Sequence, residues 1–138
     1  MSQYLLNGPT TMTFVGSAAA VSGQLVYMYS TTSKSVVLTS AETDMPIGVI
    51  ADGQSVSATS GGADEPISII PLNTGGSHKM RASAVIAANA LVMPAADGEI
   101  ATHTGATSYI VGVALEAATA ADDLIEVFMF SPSRTSAS

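Results

Sequence analysis

A chain of 138 residues is one domain long, and with 47% apolar but only 11% charged residues it has ample core material and a surface left to Ser, Thr, Asn and Gly. Four basic residues face eleven acidic ones, for a net charge of −7, which speaks against nucleic acid and anionic membranes as partners because both are held by clustered cations. The absence of cysteine excludes disulfides, thiolate catalysis and Cys-ligated zinc.

Residues 1–22 read as an N-terminal arm. Tyr4-Leu5-Leu6 is an apolar patch, Asn7-Gly8-Pro9 a turn, and Thr11-Met12-Thr13-Phe14-Val15 alternates like a strand. This start has no basic leader and is broken by the turn, so it does not read as a secretion signal. No apolar run is long enough to cross a bilayer. The expected setting is synthesis in the cytoplasm and solubility until assembly.

From Gly23 onward one domain is expected to residue 130, built from a strand motif used twice, over 23–72 and 83–130. Strands are predicted at Gln24–Tyr29, Ser35–Thr39, Pro46–Ala51, Ser55–Thr59 and Pro66–Leu72, then His78–Ala84, Ala90–Met93, Glu99–Thr102, Tyr109–Leu115 and Leu124–Phe130. Gln24-Leu25-Val26-Tyr27-Met28 is echoed by Ala90-Leu91-Val92-Met93-Pro94, and Pro46-Ile47-Gly48-Val49-Ile50 by Ile110-Val111-Gly112-Val113-Ala114. Pro66-Ile67-Ser68-Ile69-Ile70 is echoed by Leu124-Ile125-Glu126-Val127-Phe128. Gly48 and Gly112 each interrupt an apolar strand, which predicts close backbone approach, a bulge or a sharp bend. Thr31-Thr32-Ser33-Lys34 and Ala95-Ala96-Asp97-Gly98 are turns, and Ser60–Asp64 is a loop. Asn73–Ser77 is a link too short to separate independent domains. The Ala-rich stretches Ala82–Ala90 and Glu116–Ala121 are too short for stable helices. Residues 131–138 read as a disordered polar tail. The fold class is therefore all-β: a small barrel or sandwich with at most one or two short helical turns.

The chemistry-bearing residues make no recognisable site. His78 and His103 are the only imidazoles, and no Gly-x-Ser-x-Gly elbow accompanies them. Gly75-Gly76-Ser77-His78-Lys79 lacks the spacing of a phosphate loop and precedes a strand rather than a helix. Asp64-Glu65 and Asp122-Asp123 occupy matching places before the last strand of each half. As oxygen ligands they suit Ca²⁺, but without an Asp-x-Asp-x-Asp-Gly pattern they read as solvated turn residues. Glu99 and Glu126 are the pair to test for a polysaccharide hydrolase, which needs two carboxyls across one cleft. The seven methionines fit core filling or an adaptable surface. The expectation is no enzyme, no metal and no cofactor.

The segment Ile110-Val111-Gly112-Val113-Ala114-Leu115-Glu116-Ala117-Ala118, the acidic turn Asp122-Asp123, and Leu124-Ile125-Glu126-Val127-Phe128 together resemble the C-terminal segment of small bacteriophage capsid decoration (cement) proteins. Ala18 to Val26 and Pro46-Ile47-Gly48-Val49-Ile50 are similar to the upstream segments of that family, so the likeness spans roughly residues 17–130. The arm and the longer middle section around Ser60 to His78 depart from it. The resemblance implies a compact β-barrel or β-tulip, commonly a homotrimer, on the outer capsid surface of a virion, bridging neighbouring copies of the major capsid protein. Under that reading Tyr4, Leu5, Leu6, Met12 and Phe14 are the expected capsid or subunit contacts, because they are apolar residues outside the repeated motif. Two other readings of the arm are an edge strand completing its own barrel, with Tyr4 and Phe14 buried, and strand addition to a neighbouring subunit. The alternative function is a phage tail- or fibre-associated module or a surface receptor-binding module. A glycan-binding version lacks Trp, and aromatics make up only 5% of the chain.

Overall fold

The computed structural model describes residues 10–15, 19–29, 34–56, 65–105 and 107–134. Among the described residues twelve strands appear in chain order: β1 (Thr10–Phe14), β2 (Ala20–Val21), β3 (Leu25–Met28), β4 (Ser35–Leu38), β5 (Pro46–Ile50), β6 (Ser55–Val56), β7 (Glu65–Pro71), β8 (Ser77–Arg81), β9 (Leu91–Pro94), β10 (Ile100–Thr102), β11 (Tyr109–Ala114) and β12 (Leu124–Arg134). The helical content of the same residues is two 3-10 turns, Leu72–Thr74 and Ala96–Gly98. The fold is all-β, as the strand pattern predicts. The Ala-rich stretches carry isolated bridges and turns instead of helix, and Asp97 and Gly98 both take positive φ in the predicted turn.

The two main sheets share one strand order. Strands β1-β4-β3-β5-β7 close into a barrel, and the second sheet runs β10-β9-β11-β12-β8. Aligning the two orders pairs β3 with β9, β4 with β10, β5 with β11, β7 with β12 and β1 with β8. The minor elements follow the same rule. The β2–β6 ladder at Ala20–Val56 corresponds to the antiparallel bridge Ile86–Ala118. In strand order β1 and β8 hold matching places, outside the spans 23–72 and 83–130 that the sequence pattern marks. They escape notice because Thr-Thr-Met-Thr-Phe and Ser-His-Lys-Met-Arg share an alternation but almost no residue types.

The seams differ between the halves. In the first, β1 pairs with β4 in parallel at Thr13–Ser35 and Phe14–Val36, closing the barrel. In the second, one parallel bridge, Ala82–Ile100, stands at the matching place. The looser seam is filled from the first half. Leu25, Val49 and Leu72 lie in one buried cluster with Met80, Ile100, Val111, Ile125 and Val127. Polar bonds secure the joint: Arg81 N–H donates to the Gly23 carbonyl at 2.9 Å, and Gln24 Nε2 donates to the Asp97 carbonyl at 2.9 Å. The closed barrel has its own interior of Phe14, Val26, Val36, Ile50, Ile67 and Ile69.

Two segments sit differently from their sequence reading. Residues 10–14 of the expected arm are a wall of the barrel, since β1 is hydrogen-bonded on both edges, to β7 and to β4. Residues 131–134 of the expected tail continue β12, where Tyr109 and Ile110 of β11 face Arg134 and Ser133. A bulge between Ile110 and Gly112 carries the strand past its apolar pattern.

Candidate functional site

Alternation along β1 decides what its side chains do. Phe14 points inward, 1% exposed, against the barrel interior, and so cannot be the capsid or subunit contact expected of it. Its ring is the largest side chain in that interior, which is the edge-strand reading of the arm. Met12, on the same face of β1, is half-buried and packs on the same cluster. Tyr4, Leu5 and Leu6 lie outside the described residues.

Met12 also lines an open groove of about 430 Å³. Its walls are Met45, Pro46, Ile47, Pro71 and Pro132, from the start of β5, the end of β7 and the end of β12. Three prolines give it rigid walls without N–H donors. Thr10, where the described chain begins, belongs to the wall. The lining is mostly apolar, with Thr10, Asn73 and Ser131 as its polar members, and among the described residues carries no titratable side chain, so it suits an apolar peptide or side chain rather than a charged small molecule.

The titratable residues are dispersed into structural pairs. His78 Nε2 is 3.8 Å from Asp52 Oδ1, and its Nδ1 lies 2.8 Å from the Lys79 carbonyl. His103 Nε2 is buried without a hydrogen-bond partner among the described residues. Gly75 and Gly76 form the turn into β8 with φ of 78° and 87°. Asp123 takes bonds from Thr119 N–H, Thr119 Oγ1 and Ala120 N–H, which hold its carboxyl below the usual range. It is a turn-former. Of the other predicted acidic pair, Glu65 matches Asp123 in register, since Phe14 faces Glu65 as Ala82 meets Asp123, and Asp64 lies outside the described residues. No group of three potential metal ligands occurs among the described residues.

Glu99 and Glu126 have separate surroundings. Glu126 accepts from the Ser77 hydroxyl and faces Lys79, whose Nζ is 2.7 Å from Glu116 Oε2. Glu99 sits just before β10 beside Asp122. Burial first, then the hydrogen bond with the Asp122 carboxyl and the charges of Asp122 and Asp97, push it up to about 7; Arg81 opposes the shift. A polysaccharide hydrolase needs a second carboxyl across the same substrate space, the place for which Glu126 is the candidate. Here the neighbours of Glu99 are the two acids and Arg81 at the joint between the halves.

No family model matches the chain, and no curated protein matches it. Among solved structures it is similar to the N base of the head fibre protein gp8.5 of bacteriophage phi29, with a TM-score of 0.65 and 17% identity over 94% of this chain and 99% of that one. At that identity the likeness is one of fold: the whole doubled arrangement, rather than one barrel of it, is shared with a phage head fibre base.

Proposed function

We propose that this chain is a structural protein of a bacteriophage virion, which binds the outer surface of the head and bridges neighbouring major capsid subunits. The observation that carries the reading is the likeness of fold to a phage head fibre base across 94% of the chain. The cement-protein resemblance of residues 17–130 points the same way. A surface poor in charge and a groove walled by Met12, Met45, Ile47 and three prolines suit adhesion to protein. Nothing in the arrangement of His78, His103, Glu99 and Glu126 calls for a reaction.

The mechanism is linkage. A protein that binds the mature lattice and not its dissociated subunits stabilises the lattice by roughly 2.7 kcal/mol per site at about 100 times Kd. In a homotrimer the second and third contacts become intramolecular and add avidity. The grip at the shell is assigned to Tyr4, Leu5 and Leu6, which precede Thr10 at the groove wall. Phe14 does not contribute to it. Deleting residues 1–9 spares β1 and should leave the barrel folded while abolishing decoration of purified expanded shells in cryo-electron images. Unchanged occupancy would reject the arm's role.

A second reading, a base for a fibre on the head, is favoured by the neighbour being such a base. Imaging separates the two. Knobs at every equivalent lattice position belong to a cement protein, and sparse projections belong to a fibre base.

A further inference from the structure

The open groove beside Met12 is the mouth of the closed barrel. β7 runs antiparallel to both β1 and β5, so the starts of β1 and β5 and the end of β7 lie at one end of the barrel. Directly opposed residues on neighbouring strands share a face. Thr10 opposes Ile69, Met12 opposes Ile67, and Pro71 follows Ile69 by two, so Thr10, Met12 and Pro71 carry the inward face out to the rim. Ile47 joins them by another route. The β3–β5 ladder steps from Gly48 to Pro46 and skips it, and this bulge turns its side chain onto the same interior cluster. Ile69 belongs both to that interior, at 2% exposed, and to the groove lining, so the mouth opens directly onto the core.

We infer that this mouth is the seat of Leu5 and Leu6 of the same chain. β1 starts at the rim, so the residues before Thr10 set out from the mouth itself. Asn7-Gly8-Pro9 is a turn signal, which sends Leu6 and Leu5 back across the opening rather than away from it. Over the four bonds of chain from Thr10 to Leu6 the reach is at most about 14 Å. A tether this short gives an effective concentration in roughly the millimolar range. The chemistry matches on both sides. Residues 1–9 carry no charged side chain, and the lining carries none among the described residues, so contact strands no charge. At about 430 Å³ the mouth is at the small end of ligand pockets and takes a few side chains rather than a whole strand. Pro46, Pro71 and Pro132 have no N–H to offer a ladder, so the fit is made by side chains.

The seat has a consequence for the proposed function, and that consequence alone rests on the proposed function. Leucines held in the mouth are not free for the shell, so the affinity for the shell is reduced by the fraction of chains whose arm is out. Burying one leucine side chain is worth roughly a factor of ten to a hundred in an equilibrium constant. That is enough to keep the arm seated in the free protein, and little enough for a lattice contact strengthened by avidity to draw it out.

The test uses the full chain in solution, with isotope-labelled Met and Leu methyl groups. Nuclear Overhauser contacts between the methyls of Met12 or Met45 and those of Leu5 or Leu6 are expected, and they should persist when labelled chain is diluted into unlabelled excess. Chymotrypsin cleavage after Tyr4, Leu5 and Leu6, followed by mass spectrometry, should run at least about 10-fold faster in Met45→Glu, which places a charge in the mouth at a residue already 51% exposed. Val85→Glu, on the second half and 69% exposed, should be cut like the parent. Three results overturn the inference: no methyl contacts, contacts that vanish on dilution because the arm sits in another copy, or a folded Met45→Glu protein cut at the parent's rate. Shell binding is scored apart. A seated arm whose deletion leaves shell occupancy unchanged upholds the seat and removes the arm from the proposed function. Decoration lost on deleting residues 1–9, with no methyl contacts in the free chain, keeps that function and overturns the seat.

Discussion

Gly48 and Gly112 hold the same place in the two halves, and replacing each by Ala measures how far the duplication is physical. Gly112 faces Val92 on one side and Met129 on the other; Gly48 faces Val26 and Pro71. A Cβ added at Gly112 collides with the Phe128 carbonyl oxygen and comes within 2.7 Å of Val127 Cγ1. At Gly48 it comes within 2.7 Å of the Ile70 carbonyl oxygen and 3.1 Å of Ile69 Cδ1. A backbone oxygen in a paired strand cannot swing aside as a side chain can. The strands must move apart, which adds lost ladder bonds of about 1 kcal/mol each to an overpacking cost of about 1–3 kcal/mol. The expected losses are about 3–4 kcal/mol for Gly112→Ala and about 2 kcal/mol for Gly48→Ala. Gly53→Ala meets no atom within 4 Å but has φ of +78°, so its cost is the left-handed penalty of about 1 kcal/mol. Urea unfolding followed by far-UV circular dichroism gives all three from one protocol. A loss below about 0.5 kcal/mol at Gly112, or a larger loss at Gly53 than at Gly112, refutes the close-approach argument.

Leu25→Ala should cost about 3 kcal/mol by emptying a side chain shared between the halves. Unfolding should stay a single transition, and two resolved transitions would show that the halves are not one cooperative core. Glu99 holds its proton up to about pH 7 in the folded chain and releases it near 4.5 when unfolded. Its contribution is therefore greatest below the unfolded value and disappears as pH rises through 7. Glu99→Gln should flatten that fall and raise stability at pH 8 by on the order of 1 kcal/mol, the shift being discounted for solvent screening of a partly exposed carboxyl. Equal slopes of thermal midpoint against pH for parent and variant would contradict this. Asp123 has the opposite sign: its stabilising bonds are present above the ordinary carboxylate pKa and lost as pH falls through its lowered value. Asp123→Asn should lower the midpoint at pH 7 and shrink the difference from the parent at acid pH. A pH-independent difference would reject a stabilising role for the Asp123 carboxylate in its turn.

Most strands were legible as short apolar runs bounded by Gly, Asn, Asp or Ser, and β1 and β8 by period-two alternation alone. The glycines that mark close approach were legible for the same reason. The site was less so. Met12 and Phe14 alternate with threonines, a pattern that fits an arm laid on a neighbour as well as a wall of the chain's own barrel. Only the β1–β4 and β1–β7 ladders decide between them. Met45, Pro46, Pro71 and Pro132 gave no local hint of a shared groove, since they come together from three strand ends far apart in sequence.

From residue order alone follow the all-β class, the echo between the strand sequences of the two halves and the low charge, for these depend on composition and on neighbours a few positions away. Tertiary structure alone decided that β1 and β8 hold matching places in the two strand orders and that Leu25 joins the buried cluster of the second half. It also decided that Leu25 is buried while Leu91, at the echoed position of the second half, is exposed. Burial is a property of what lies across the fold, and two segments with the same alternation receive different neighbours once one of them has folded against the other.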